Sequence, residues 1–509
     1  MKQLLILLVA CAVGLFPAIA DTNPKYEFRG AWVATIYGID WPSTTGTSKA
    51  VAAAQQKELA ALVDALADAG FNAVMFQVRP MADALYRSSL EPWSSYVSGA
   101  RGSAPKYDPL ETAIALCHER GLECHAWINP YRVGKAEPTT PLDQQYRHLW
   151  MTNKVGRQTM TILNPCFEQT RQHICDVVCD IARRYDVDGI AFDDYFYNPE
   201  FIPEDKTAAD WTHYVESGTD LSMGDWRRSN INAMIQLVAS ELSAIKNGKI
   251  RFGLSPQGIA GGNGVHADKG VPPTADYGVI TADSQYGKIY SDPVEWLANG
   301  YIDYISPQIY WPTDNPKHPY GGLARWWSDV AEMFGRHSFP SIRISGFAQA
   351  NTPESWGEAV RQLCANRESS FNGAPGVVVY SAAYISGPKC SGFGKLLADS
   401  LFSTHALLPP QPWKENAQPL ELSNLHLNGD TLMWDPIDDA RYVIYAIPNH
   451  IDPLDALSDS GEGLSSDYII AVTYDNSYAI DPSTLLDHQI AIAPYDRYGN
   501  EWQPKFLTP

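Results

Sequence analysis

Short apolar runs alternate with helical stretches from Arg29 to about Ser400, a rhythm of repeated strand and helix units that predicts a parallel sheet. Eight strands are expected. They lie in RGAWVATI from Arg29, FNAVMFQV from Phe71, LECHAWI from Leu122, DGIAFDD from Asp188, IRFGLSP from Ile250, IDYISPQIY from Ile302, PSIRISG from Pro340 and GVVVYSA from Gly376. Between them, QKELAALVDALADAG sets Leu59, Leu62, Val63 and Leu66 on one helical face, and Ile231, Ile235, Val238, Leu242 and Ile245 do the same later. Asp108-Pro109-Leu110-Glu111 and Asp292-Pro293-Val294-Glu295 each read as a helix start, with an acidic N-cap, proline at the first position and glutamate at the third. Eight units over about 370 residues suggest an α/β fold of the (β/α)8 TIM-barrel type, whose site lies at the C-terminal ends of the strands. A doubly wound open sheet is the alternative, but no glycine-rich phosphate loop follows the first strand.

The pattern changes at LLPPQPWKENAQP, residues 407–419, which reads as a linker between a barrel at 21–406 and a small all-β sandwich at 420–509. Beyond it TLMW, RYVIYAI, YIIAVTY and QIAIAPYD alternate over short lengths between turn residues. The placing of Trp434, Tyr442 and Tyr445, and Tyr495 resembles a fibronectin type III domain, a module more often a spacer than a catalyst.

Residues 1–20 carry one basic residue, an apolar stretch and Ala18-Ile19-Ala20, the pattern of a cleaved secretory leader, so the protein is expected to be exported to the periplasm or cell envelope. Leu8-Val9-Ala10-Cys11 offers a rival reading as a lipoprotein box, and membrane contact is expected only if Cys11 is lipidated. The formal charge of -20 argues against a nucleic-acid partner. Seven of the eight cysteines follow the leader, scattered through apolar segments without paired spacing, so neither zinc nor an obligatory disulfide framework is implied. No metal and no cofactor are expected.

Alternation along the strands decides which polar residues reach the barrel mouth. Gln77 and Arg79 emerge from the second strand, with Asp83 in the loop that follows. His125, Trp127 and Asn129 share a face of the third, with Tyr131 and Arg132 just beyond. His125 also has a plainer reading as a hydrogen-bonded core imidazole. Ser255 and Gln257 leave the fifth strand, and Gln308, Tyr310 and Trp311 leave the sixth. Amides, guanidinium groups and aromatic rings converging on one rim are what a polyhydroxylated ligand requires, and the 15 Trp and 27 Tyr of the chain supply stacking surfaces. In DGIAFDDYFYNP, Gly189, Ala191 and Asp193 share the small, inward face, with Tyr195 next. Asp194 starts on the opposite face unless the chain bends after Asp193.

These motifs together resemble a known family. RGAWVAT with IDWPS, QVRPMADALYRS with EPWS, YDPL, HAWINPYR, LNP, YDVDGIAFDDYFY, WRRSNIN, SPQG and YIDYISPQIYW are similar to those of the glycosyl-hydrolase-like family ten, over roughly Tyr26 to Leu401. That family includes bacterial envelope enzymes that cleave peptidoglycan strands stripped of their peptides. The resemblance implies a (β/α)8 barrel, glycosidase activity and a functional aspartate at Asp193 or Asp194. Glycoside hydrolysis ordinarily needs two carboxyl groups. Asp193 is the leading candidate, with Asp194 or Asp83 in the second role, or with an N-acetylated sugar supplying its own nucleophile. Arg79 and Arg132 are candidates to clamp the lactyl carboxylate of muramic acid. The leading expectation is a glycosidase acting on peptide-free peptidoglycan. A hydrolase of dietary or host polysaccharide and a non-catalytic glycan-binding barrel are the alternatives.

Overall fold

The computed structural model describes residues 23–508 apart from 135–136, 263, 281–284, 347–352, 371–373, 388–391, 415–416 and 458–462. The expected leader and Cys11 lie outside the described residues.

All eight expected strands form, and each is followed by a helix. The strands are β1 (Phe28–Val33), β2 (Ala73–Arg79), β3 (Glu123–Ile128), β4 (Gly189–Phe192), β5 (Arg251–Leu254), β6 (Tyr304–Ile305), β7 (His337–Ser338 with Ser341–Arg343) and β8 (Gly376–Tyr380). The helices between and after them are α1 (Lys49–Asp68), α2 (Pro109–His118), α3 (Glu168–Arg184), α4 (Met223–Ala244), α5 (Pro293–Ala298), α6 (Tyr320–Met333), α7 (Pro353–Ser369) and α8 (Phe393–Asp399). Asp108 and Asp292 cap α2 and α5 as their sequences require, Asp108 accepting from Leu110 N and Glu111 N and Asp292 from Glu295 N.

All pairings among β1–β8 are parallel, and the ring closes through β7. Its first half pairs with β6 and its second half with β8. Pro340 divides them because it has no N–H to donate. Phe339 N donates to Ile305 O and Ser341 N to Pro307 O, both at 2.8 Å, so the barrel has no free edge here.

Side chains sort by strand alternation. Val74, Phe76 and Val78 join the layer under the helices, whereas Ala73 and Met75 point inward. Inside, the Phe28 and Phe339 rings stack at 4.5 Å. Gly189 and Gly253 are small for a physical reason: a Cβ on Gly189 would lie 2.3 Å from His125 Nδ1, and one on Gly253 would lie 1.9 Å from Tyr304 Cζ. The interior therefore alternates large and small residues in layers, as barrels of this size do.

Among the described residues, seven antiparallel strands follow the barrel. One sheet contains β9 (His426–Asn428), β10 (Thr431–Met433) and β13 (Ser477–Ala479); the other contains β12 (Ile469–Thr473), β11 (Arg441–Pro448), β14 (His488–Tyr495) and β15 (Lys505–Phe506). This small all-β domain is docked on the N-terminal end of the barrel strands. Arg441, wholly buried, donates from Nη1 to Glu123 Oε1 at 2.9 Å and from Nη2 to Asp496 O at 2.9 Å. Asp188 takes Arg497, Tyr474 Oη at 3.1 Å and, from the barrel side, His118 Nε2 at 2.9 Å. Burial alone would raise the Glu123 carboxyl, but the charges of Arg251 and Arg441 override it and hold the group down at about 2.

The first part of the stretch read as a linker, 407–419, lies against both neighbours. Leu407 pairs with Tyr26, Leu408 O accepts from Tyr495 Oη at 2.9 Å, and Trp413 Nε1 donates to Asp303 Oδ1 at 2.8 Å. Prolines fix the backbone of this strap while its leucines fill the joint.

Candidate active site

Strand β4 ends at Phe192, and the chain bends immediately afterwards. The bend turns both Asp193 and Asp194 into one recess at the C-terminal mouth, with Trp32, Ile36, Gln77, Trp127, Arg132, Tyr195, Ser255, Gln308, Tyr310 and Tyr380 completing the lining.

Asp193 is held on both oxygens. Trp127 Nε1 donates to Oδ2 at 3.0 Å, and Asn129 Nδ2 donates to Oδ1 at 3.0 Å and to Oδ2 at 3.2 Å. Burial raises this carboxyl above the ordinary aspartate range, opposed by the Arg132 charge and by these hydrogen bonds. Asp194 lies in a different field. Burial first, and then the neighbouring Asp193 charge, push it up to about 6, while the hydrogen bond from Gln308 works against them. Gln308 Nε2 reaches Asp194 Oδ1 and Ser255 O, each at 3.0 Å. Burial thus raises both of two adjacent carboxyl groups, and the charge of Asp193 adds to the rise at Asp194.

Arg132 stacks its guanidinium over the Tyr195 ring at 3.8 Å. Tyr195 itself remains 40% exposed beside the pair. Gln77 Oε1 accepts from the backbone N–H groups of Thr35 and Ile36 at 3.0 and 2.9 Å, which fixes the β1 loop at the rim. Gln257 lines a second recess that shares Asp194 and Tyr195, and its Nε2 donates to Glu200 Oε1 at 2.9 Å.

Five expected site residues stand elsewhere. His125 lies a layer below the recess, fully buried, with Nε2 2.8 Å from Glu123 Oε2 and Nδ1 3.1 Å from Tyr304 Oη. It faces inward as the alternation requires, but too early in β3 to reach the mouth. Arg79 is also fully buried: its Nε and Nη2 donate to Glu91 at 2.7 and 2.5 Å, and Nη1 reaches Asn129 O and Pro130 O. A guanidinium so engaged and fully buried is a brace for the β3 loop and does not face the recess to clamp a ligand. Asp83 is sealed in the β2 loop, accepting from Met81 N at 2.8 Å and facing Arg101 at 3.4 Å, and does not line the recess. Tyr131 is buried against Phe196, and Trp311 packs beside His318 at a ring separation of 4.8 Å. Trp32 and Tyr380 were not among the expected site residues. Both occupy the C-terminal halves of their strands, the signal that could have found them. Glu200 has no periodic signal at all, because it sits in a loop. Among the described residues there is no cluster of three or more His, Cys, Asp or Glu side chains able to hold a metal ion.

A closed (β/α)8 barrel whose mouth gathers paired, buried carboxyls among aromatic rings and amides is the construction of a glycoside hydrolase. The relatives of this chain agree. It belongs to the family described as Glycosyl hydrolase-like 10, whose model matches residues 27–337. It is 31% identical to Glycosyl hydrolase YngK of Bacillus subtilis over 434 residues, covering 82% of this chain and 81% of that one. It is 33% identical to Glycosyl hydrolase DigH of Escherichia coli K12 over 339 residues, 64% of this chain and 75% of the relative. Among solved structures, the PgaB (BpsB) glycoside hydrolase domain from Bordetella bronchiseptica aligns with a TM-score of 0.45 at 13% identity, over 73% of this chain and 99% of that one.

Proposed function

We propose that this glycosidase is exported and cleaves glycan strands of the bacterial envelope, with peptide-free peptidoglycan as its substrate. Asp194 serves as general acid, protonating the leaving glycosidic oxygen. Asp193 stays ionised, raises the proton affinity of Asp194 and stabilises the positive charge that develops on the sugar ring. The observation that carries this reading is the buried Asp193–Asp194 pair, with Trp127 and Asn129 engaging both oxygens of one member and Gln308 engaging one oxygen of the other.

The same observation favours substrate assistance over a second protein nucleophile. Among the described residues, Asp193 and Asp194 are the carboxylates that line the catalytic recess, and the separation of two carboxyl groups across a glycosidic bond is not offered by neighbours in the chain. An N-acetyl group on the sugar then attacks the anomeric carbon, and Asp193 orients it. Retained anomeric configuration, read by NMR on the first-formed product, is the expected outcome, and net inversion excludes the route.

Arg132 supports the choice of glycan. It is a cation in the lining of the catalytic recess, and a muramic-acid residue without its peptide still carries a lactyl carboxylate for a guanidinium to grip. The C-terminal domain, which resembles a fibronectin type III module, acts in this reading as a support for the barrel floor. The decisive experiment is incubation with intact and peptide-free peptidoglycan followed by mass analysis. Sugar release from the peptide-free strand, abolished by Asp194→Asn, is expected. Release from unrelated polysaccharides alone rejects the substrate.

A further inference from the structure

The catalytic recess does not stand alone. A second hollow of about 630 Å³ shares Asp194 and Tyr195 with it, and a third of about 680 Å³ shares Arg157, Gln158 and Asn198 with the second. The three adjoin in series and form one groove running out from the carboxylate pair. Its wall is the hairpin of Trp150–Val155 and Gln158–Leu163, inserted between β3 and α3. Each of the two outer hollows is of the size that encloses a drug-sized ligand.

Phe201 stands in the middle hollow with 60% of its surface exposed, and Lys288 lies over its ring at 4.8 Å. Its backbone φ is 63°, the left-handed region that a bulky side chain rarely adopts. A residue held in that conformation costs stability and persists where the surroundings enforce it, often at ligand sites. Here the backbone is held by a hydrogen bond from Phe201 N to Lys288 O at 3.2 Å. An exposed aromatic ring in such a hold serves no core. Further along, Arg157 at the hairpin tip and Arg147 bring positive charge to the walls, set against Glu200 and Glu137.

From these observations we infer that the groove is a set of sugar subsites for an acidic oligosaccharide several rings long. Phe201 is the stacking platform next to the catalytic pair, and Arg157 receives a carboxylate of a more distant sugar. The enzyme therefore holds a run of several rings beside the scissile bond. This rests on the glycan reading proposed above and adds where the chain lies and which residues measure its length.

The test is calorimetric titration of the full-length Asp194→Asn protein, which holds glycan uncut, with peptide-free muramic-acid oligomers from disaccharide to hexasaccharide. Affinity should rise about tenfold or more from the shortest to the longest, since each stacked ring contributes on the order of a cation–π or aromatic contact. Adding Phe201→Ala should remove most of that gain, and Phe201→Tyr, which keeps a ring, should restore it. Adding Arg157→Gln should lower the hexasaccharide affinity more than the disaccharide affinity. Length-independent affinity, or a Phe201→Ala loss equal on short and long oligomers, overturns the groove. Chitin oligomers bound as tightly as muramic-acid oligomers, with length dependence intact, would instead reject the substrate proposed above and the acidic class, leaving the stacking platform in place.

Discussion

Replacing Gln308 by Leu should move the pH profile of the enzyme upward by about one unit. Gln308 Nε2 donates to Asp194 Oδ1 at 3.0 Å and divides itself with Ser255 O at the same distance. A hydrogen bond to a charged group contributes about 1.5–3 kcal/mol, and a shared donor belongs at the low end of that range. At 1.36 kcal/mol per unit, losing it raises the carboxyl by about one pKa unit. The sign follows from which form the bond favours. Gln308 stabilises the carboxylate, so its removal disfavours ionisation, and the group now pushed up to about 6 should titrate near pH 7. A general acid works protonated, so the falling limb of kcat/KM should shift from about pH 6 to about pH 7. Initial rates of reducing-end release from peptide-free glycan would be measured across that range, with thermal melting to confirm that the variant folds. Because kcat/KM reports the free enzyme, the comparison is with the unliganded structure. A limb that stays in place, or moves to lower pH, would refute Asp194 as the titrating acid.

Other substitutions probe the frame and the specificity. Arg132→Gln should weaken binding of muramic-acid oligomers by roughly tenfold or more, the value of a charged hydrogen bond, and spare chitin oligomers; equal losses on both ligands sink the clamp. Arg441→Ala strands Glu123 at the barrel floor and should lower stability by about 3 kcal/mol in urea unfolding, the low end for a broken buried pair because Arg251 and His125 remain; a change under about 1 kcal/mol contradicts the docking. Since Glu123 is depressed from 4.5 to about 2 in the folded chain, its stabilising contribution is fully present above pH 4.5 and is lost as pH falls through about 2. Gly189→Ala should destabilise by about 1–3 kcal/mol through its clash with His125, and adding His125→Ala should recover part of the loss, whereas strict additivity in melting experiments would disprove the contact.

The barrel was legible because its signals are local and repeated: strand runs at regular spacing, capped helix starts and inward small residues. Alternation placed Trp127, Asn129 and Asp193 on the inner face, and the structure brings them together. Alternation does not measure depth, however. His125 and Trp127 share a face two residues apart, and only the later one reaches the mouth. Nor does it reveal prior engagement, since Arg79 emerges at the rim yet is consumed by Glu91 twelve residues on. Asp194 depended on a bend beyond the strand, where period-two counting ends. Glu200 and Phe201 lie in a loop whose path is set by contacts to Lys288, far away in sequence. The contacts of the stretch at 407–413 were hidden for a related reason: proline-rich composition describes a stiff backbone and is silent on whether its leucines find a partner.

The seating of the β-domain on the barrel floor removes a freedom that multidomain enzymes ordinarily enjoy. Glu123 and Asp188 belong to the barrel, yet Arg441 and Arg497, which neutralise them, come from beyond the strap. The catalytic half is consequently no cassette. Grafted onto another partner, or trimmed after Leu401 to the span of the family motifs, it would present two anions at its floor that have lost Arg441 and Arg497 and keep only Arg251, His125 and His118. An engineer wishing to shorten it would first have to redesign the floor with apolar residues, and any natural relative that dispenses with the sandwich must have solved the same electrostatic problem from within its own barrel.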